Sequence, residues 1–251
     1  MTEPIIDARL PASSPPADAD ASTADGEAGS HVVSGLLAVA IALGTMVLLV
    51  AAAVLLLMTP IYRHGALDRA GAPGFLGVTV AEAHALSDST VGELLVGPGT
   101  FAFAFGAGGP PFYDASEASH MRDARSVLDF LLVLAALSLV VLGVGYARSR
   151  REARYWRAIA AGGGILAVAF AIIGVLFLVA FDTAFTLFHE IFFPGGNWSF
   201  DFATQRMVQL YPIPFWEEAT TVLGVLLIGG GALVWWFARR RARRLEGAAA
   251  S

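Results

Sequence analysis

Residues 34–59 read SGLLAVAIALGTMVLLVAAAVLLLMT, a run without a single charge. At about 26 residues it makes roughly 39 Å of helix, more than the ~30 Å hydrocarbon core of a bilayer, so the run predicts a membrane span. A signal peptide has an apolar region of only about 7–15 residues behind a basic start. The segment before this run is acidic, so the helix is expected to be retained. Three further apolar runs follow: VLDFLLVLAALSLVVLGVGYA (127–147), AIAAGGGILAVAFAIIGVLFLVAF (158–181) and EATTVLGVLLIGGGALVWWFA (218–238). The expected fold class is therefore an all-α membrane protein with four transmembrane helices and a small, mainly helical subdomain built from two outer loops.

Composition agrees. The 251 residues are 56% hydrophobic and only 15% charged, with a mean hydropathy of +0.66, outside the mixture of ordinary soluble domains. The net charge of −5 hides an uneven distribution. All the cationic side chains are arginines, and they cluster at RSRREARYWR (148–157) and RRRARR (239–244). By the positive-inside rule both clusters are cytoplasmic, and with four spans the N-terminus is cytoplasmic too. The expected place is the bacterial cytoplasmic membrane, with loops 60–126 and 182–217 on the outer side. The absence of cysteine excludes disulfides, a thiol nucleophile, thiolate zinc sites and lipidation of the chain itself.

Residues 1–33 are rich in Ala, Ser, Pro and Asp and poor in large apolar side chains, which predicts a disordered cytoplasmic tail. Residues 239–251 are expected to form a basic cytoplasmic tail, with 34–238 as the membrane domain. In the long loop, Thr79 with Glu82 and Thr90 with Glu93 have capping-box spacing, predicting two short helices. Phe101, Phe103 and Phe105 alternate with small residues as in a short strand. Asp114 and Glu117 are placed to cap a helix that carries His120 and runs on into the second span. No internal repeat is found.

The histidines are His31, His64, His84, His120 and His189. His31 falls in the tail, while His64 and His84 have the surroundings of solvated helix surfaces. His120 precedes the second span by about two helical turns and His189 follows the third by about as much, so both are expected near the outer membrane interface. On a helix Phe185, Phe188, His189 and Phe192 share one face, which places an imidazole within an apolar stripe. One reading is a histidine hydrogen-bonded into a helix interface; the other is a catalytic group. HEIFF is not the HExxH of zinc proteases, because Phe193 stands where the second histidine belongs. A zinc site would need His120, His189 and a carboxylate such as Asp123 to converge. No G-x-S-x-G occurs, and Ser116, Ser119 and Ser199 have the surroundings of ordinary helix or loop residues. What remains is acid–base work by imidazole, whose ordinary pKa of about 6.5 suits it to exchange protons near neutrality. Asp123, one turn after His120, could orient that ring, whereas Asp182 is too far along its helix to touch His189. Pro194 to Asn197 reads as a turn. Trp198, Phe200, Phe202, Tyr211, Phe215 and Trp216 form an aromatic collar suited to acyl chains at headgroup depth and equally to an interfacial segment.

The segments SHMRDARSVLDF (119–130) and FDTAFTLFHEIFFPGGNWSFDFATQRMVQLYPIPFW (181–216), set before the second and after the third of four spans, resemble the bacterial lipoprotein intramolecular transacylase family. The resemblance covers roughly 34–238 and rests on HM-x-D and FH-x-IFF…W-x-F-D…YP together. It implies an acyltransferase that moves the sn-2 acyl chain of a diacylglyceryl-cysteine lipoprotein N-terminus onto the α-amino group, giving the lyso form. It also implies His120 and His189 as the catalytic pair, with Asp123, Phe188, Phe192, Trp198 and Tyr211 expected to bind substrate. No cofactor and no metal is expected, and the partners are the diacylated lipoprotein and membrane lipid, not nucleic acid. The sequence departs from the family pattern at Gln205, where an acidic residue is expected. The competing reading is a non-catalytic membrane protein whose histidines and aromatics close a structural cap over the helices. A transporter is disfavoured because the span centres lack ionisable groups. Histidine rings more than about 12 Å apart without a shared cavity would favour the structural cap.

Overall fold

The computed structural model describes residues 18–106 and 108–250, with side chains from Gly35 onward. Residues 1–17 of the expected tail, and the side chain of His31, lie outside these. The backbone of α1 (Asp18–Leu57) begins within the remainder of that tail and continues into the first span. Four helices are long and apolar enough to cross a membrane: α1, whose spanning part is Gly35–Leu57, α5 (Ala115–Ser149), α6 (Ala153–Val179) and α9 (Ile213–Ala249). In their most apolar stretches only 17–28% of residues are buried against protein. The remaining surface, with side chains such as Val140, Ile172, Val225 and Leu233 outward, is covered by lipid, as in a multi-pass membrane protein.

Lipid is as apolar as leucine, so helix association inside it depends on close approach. α6 and α9 share the most extensive interface. A Cβ on Gly163 would lie 2.7 Å from the Gly231 carbonyl oxygen and one on Gly231 2.6 Å from that of Gly163. Only glycine lets these backbones touch. α1 lies between α5 and the α6–α9 pair, through Ile41 against Tyr155 and Ala158 near one end and Ala53 against Leu166 and Leu227 further along. Both arginine clusters share the end to which Tyr155 belongs.

At the other end the loops fold into a helical cap. It comprises α2 (Pro60–Arg69), α3 (Ala72–Leu76), α4 (Val80–Leu95), the first turns of α5, α7 (Phe181–Phe192) and α8 (Arg206–Leu210). Its core holds Leu67, Leu76, Phe101, Phe112, Tyr113, Met121, Leu210, Tyr211 and Phe215. Arg69 clamps the cap to α9 through two hydrogen bonds to the Glu218 carboxylate, 2.9 and 2.6 Å.

Two local expectations are revised. Thr79 and Glu82 do form a capping box at the start of α4, but Thr90 and Glu93 start no second helix. Nothing between them breaks the first, and their polar groups find other partners. The Thr90 hydroxyl bonds the Leu86 carbonyl and the Tyr113 hydroxyl, and Glu93 accepts from the Thr100 N–H. The Phe101–Phe105 strand is reduced to a single antiparallel bridge, Ala104 with Pro111. Pro110 and Pro111 have no N–H to extend a ladder. The arginine-rich end extends α9 as helix as far as Ala249.

Candidate functional site

α5 begins at Asp114, whose carboxylate accepts from the Ser116 and Glu117 N–H groups while Glu117 reaches back to the Asp114 N–H. From there the helix continues unbroken into the second span. Its first three turns, with Glu117, Arg122, Asp123 and Arg125, lie ahead of the apolar stretch 127–147 and outside the membrane-spanning part. Glu117 is 1% exposed and also accepts the Met207 N–H at 2.6 Å, which fixes α8 against α5. His120, one turn further on, is thereby held at a set height at the base of the cap.

α7 brings the second imidazole. Ala180, at φ −150° and ψ 55°, ends α6 and starts α7, so the chain changes direction where it leaves the membrane. α7 is strongly amphipathic. Ala184 and His189 are buried on one side, while Leu187, Phe188, Ile191 and Phe192 are 43–63% exposed on the other. The apolar stripe expected around His189 is therefore divided: the imidazole faces inward, and Phe188 and Phe192 face outward at the membrane edge.

The two rings meet. Their centroids are 6.0 Å apart with 26° between planes, half the separation that would have favoured a purely structural cap. Phe193 lies against both, 4.6 Å from His120 and 5.5 Å from His189. Trp198 covers His189 at 5.1 Å and Phe200 covers His120 at 5.4 Å. His189 Nδ1 is 2.8 Å from the Phe185 carbonyl oxygen. A carbonyl only accepts, so Nδ1 carries the hydrogen and Nε2 keeps its lone pair. Asp123 does not contact the ring directly. It accepts a 2.6 Å hydrogen bond from the Asn197 amide, and His120 interacts with the Asn197 side chain through hydrogen bonding and with the Asp123 carboxylate through its charge.

His120 Nδ1 and Asn197 Oδ1 are buried without a well-formed hydrogen bond, although the Asn197 side chain is near enough to act on the imidazole as a hydrogen-bond partner. Burial, then the neighbouring His189 imidazole, pushes His120 down to about 4, against the opposing pull of Asn197 and Asp123. Burial also lowers His189, with the Phe185 hydrogen bond opposing it. At neutral pH both rings are uncharged, able to accept a proton on one nitrogen and donate a hydrogen bond from the other.

Of the other expected residues, Phe188 lies edge-on to His189 at 5.3 Å, and Phe192 packs on Phe188 at 4.8 Å. Tyr211 lies apart, in the cap core. Its hydroxyl bonds Ser87 at 2.9 Å and its ring packs on Phe215. Gln205 holds the loop by donating to Asp114 and Ser116, a positioning role at the site of the family departure. His64 and His84 stack at 4.1 Å and pair through Nε2 with Asp88 and Asp68 respectively, clamping α2 to α4. Among the described residues no group of three His, Cys, Asp or Glu converges to hold a metal ion.

Two contributors carry little sequence signal: Phe193 stands out only as the residue where HExxH would have its second histidine, and Asn197 only as part of a turn. The Pro-Gly-Gly that aims Asn197 back toward α5 is a legible signal for a turn but not for its destination.

The chain is similar to known proteins. The family model described as "Lipoprotein intramolecular transacylase Lit" matches residues 79–216. The in meso structure of the membrane integral lipoprotein intramolecular transacylase Lit from Bacillus cereus superposes with a TM-score of 0.70 at 17% identity, covering 85% of this chain and 98% of that one. A histidine-to-arginine variant of the same protein gives 0.68 at 16%, covering 90% and 99%. An uncharacterised protein of Aquifex aeolicus (strain VF5) is 27% identical over 112 residues, 44% of this chain. The chain spans about half, 49%, of that relative's length.

Proposed function

This chain belongs to the lipoprotein intramolecular transacylase family, and from that premise we propose that it transfers the sn-2 acyl chain of a diacylglyceryl-cysteine lipoprotein N-terminus to the α-amino group of the same cysteine. The observation that carries the reading is the imidazole pair, 6.0 Å apart in an aromatic enclosure, at the level where α7 leaves the membrane. The neutral amine attacks the ester carbonyl, and the N–C bond forms as His189 Nε2 takes the amine proton. A neutral N–H of His120 hydrogen-bonds the developing oxyanion. The C–O bond then breaks, and the imidazolium returns the proton to the departing glycerol oxygen, so one amide and one free hydroxyl are produced and the enzyme is regenerated. Donor and acceptor belong to one molecule, so holding them together supplies much of the rate through effective molarity, and no covalent enzyme intermediate is needed.

Phe188, Phe192 and Trp198 contact the acyl chains, and Asp123 acts through Asn197 on His120. The positive-inside rule, applied to the arginine clusters, supports an orientation with their end in the cytoplasm and the histidines on the outer side. The substrates are then lipoproteins already anchored in that leaflet of the cytoplasmic membrane. In a bacterial host expressing the protein, mass spectrometry of lipoprotein N-termini shows lyso-form product with the wild type. His120→Ala or His189→Ala abolishes it at unchanged membrane abundance. Absence of lyso product with the wild type, or persistence of it in both variants, defeats the reading.

A further inference from the structure

The end of the molecule opposite the histidines carries a second concentration of chemistry. Two adjoining clefts of about 590 and 600 Å³, sharing Trp235, Arg239 and Arg243, open along α9, and the larger reaches across to Arg157 and Gly164 of α6. The arrangement is built by packing. A Cβ on Gly164 would lie 2.9 Å from Trp235 Cδ1, so glycine lets the indole lie against α6. Arg239 then sits over Trp235 at 5.2 Å, and Arg240 over Trp236 at 5.4 Å. Arg243 and Arg244 follow one turn later, at i+4 from these two, extending two cationic ladders along one side of the helix.

Their charge is not matched locally. The one carboxylate lining the clefts, Glu246, is 3.8 Å from Arg157. Among the described residues Arg239, Arg240, Arg243 and Arg244 make no salt bridge. These guanidiniums begin where the apolar stretch of α9 ends, at headgroup depth, beside tryptophans of the kind that anchor there. Ile165, also lining the larger cleft, is 56% exposed, so that cleft continues into a lipid-facing apolar surface.

We propose that the cleft between α6 and α9 is a binding site for an anionic phospholipid, whose phosphodiester sits among Arg157, Arg239 and Arg243 and whose acyl chains run down past Ile165 toward the membrane interior. Basic pockets between membrane helices are suited to such headgroups, and a planar guanidinium pre-set on an indole loses little freedom on meeting a phosphate. A free anion would use the arginines but not the apolar surface, which favours the lipid. The site is independent of the reaction at the other end.

The purified full-length protein in detergent is titrated with phosphatidylglycerol, with phosphatidylethanolamine of the same acyl chains and with inorganic phosphate, read by native mass spectrometry and by the thermal unfolding midpoint. Phosphatidylglycerol is expected to be retained and to raise the midpoint, the other two not. Arg239→Gln with Arg243→Gln, both on exposed side chains, weakens that binding by at least about tenfold, judged from the attraction of anionic lipid for each interfacial arginine. Arg148→Gln with Arg151→Gln, at the same end but outside the cleft, leaves it within about twofold. Equal retention of phosphatidylethanolamine, equal protection by inorganic phosphate, or equal loss in the two double variants overturns the proposal.

Discussion

Two imidazoles that share an aromatic enclosure resist protonation, because a charge on either is deprived of water and repelled by a charge on the other. Folded His120 titrates near 4, whereas in an unfolded chain it titrates near its ordinary value of about 6.5. Between these values the unfolded chain binds a proton that the folded chain does not, so stability falls as pH is lowered through about 6.5 and the loss is complete near 4. His189, also lowered, adds in the same direction. The unfolding midpoint of the wild type in detergent is therefore expected to drop more steeply between pH 6.5 and 4.5 than that of His120→Phe, which has nothing to protonate in the same enclosure. Parallel curves would mean that the ring is not shielded. Asn197 is the other residue-scale test. Its amide holds Asp123 at 2.6 Å beside His120, so Asn197→Ala is expected to slow lyso-product formation by roughly tenfold through misplacement of the group that flanks the base pair, at normal abundance; an unchanged initial rate would remove it from the site. His189 stands out in the sequence because an imidazole is out of place in an apolar stripe, whereas His120, set among Glu117, Arg122 and Asp123, stands out only by its distance from the second span and by the family resemblance. Asn197 was not legible, since its partner Asp123 lies 74 positions away and an asparagine after two glycines looks like any turn.

Elements were legible in proportion to how much of their stability is local. The four spans announce themselves by unbroken hydropathy, and the α4 and α5 starts by capping boxes whose partners lie three residues apart. The second box in the same loop misled because the same spacing occurs inside a helix, where only the absence of a breaker separates the two cases. The aromatic alternation at Phe101–Phe105 also misled, since its partner segment begins with two prolines. Glu117 joins the two scales, capping α5 locally and binding the α8 backbone at Met207 from 90 positions away. Glu117→Ala removes both, leaving the Met207 N–H without its partner in a partly buried place. An expected cost of about 1–3 kcal/mol should show as a lower unfolding midpoint in detergent, with lyso-product formation falling as α8 loosens from α5. A midpoint equal to the wild type would show that the cap is held by its apolar core alone.

At the scale of the whole molecule the question is which end faces which compartment, because a lipoprotein anchored in the outer leaflet reaches only one of them. The arginines of 148–157 and of 239–244 lie together at one end of the bundle and the histidines at the other, so a single orientation settles both. The positive-inside rule assigns the arginines to the cytoplasm, although Arg63, Arg69, Arg122, Arg125 and Arg206 belong to the opposite end and oppose it. Four of these five are engaged within the cap: Arg63 by Asp88, Arg69 by Glu218, Arg125 by the Glu93 and Gly97 carbonyls, and Arg206 by Gln209 and the Phe105 ring. The ten arginines of 148–157 and 239–244 outnumber these five two to one, and it is the bias in number that the rule weighs. The chain has no cysteine, which makes a clean experiment possible with one thiol at a time. Ser89→Cys, on the exposed side of α4, and Gly247→Cys, where a side chain meets open space near the end of α9, are offered to a membrane-impermeant maleimide on intact spheroplasts and again after lysis. Ser89→Cys is expected to label in both and Gly247→Cys only after lysis. The reverse pattern would put the imidazole pair in the cytosol, out of reach of any lipoprotein already exported, and the proposed acyl transfer could not occur there.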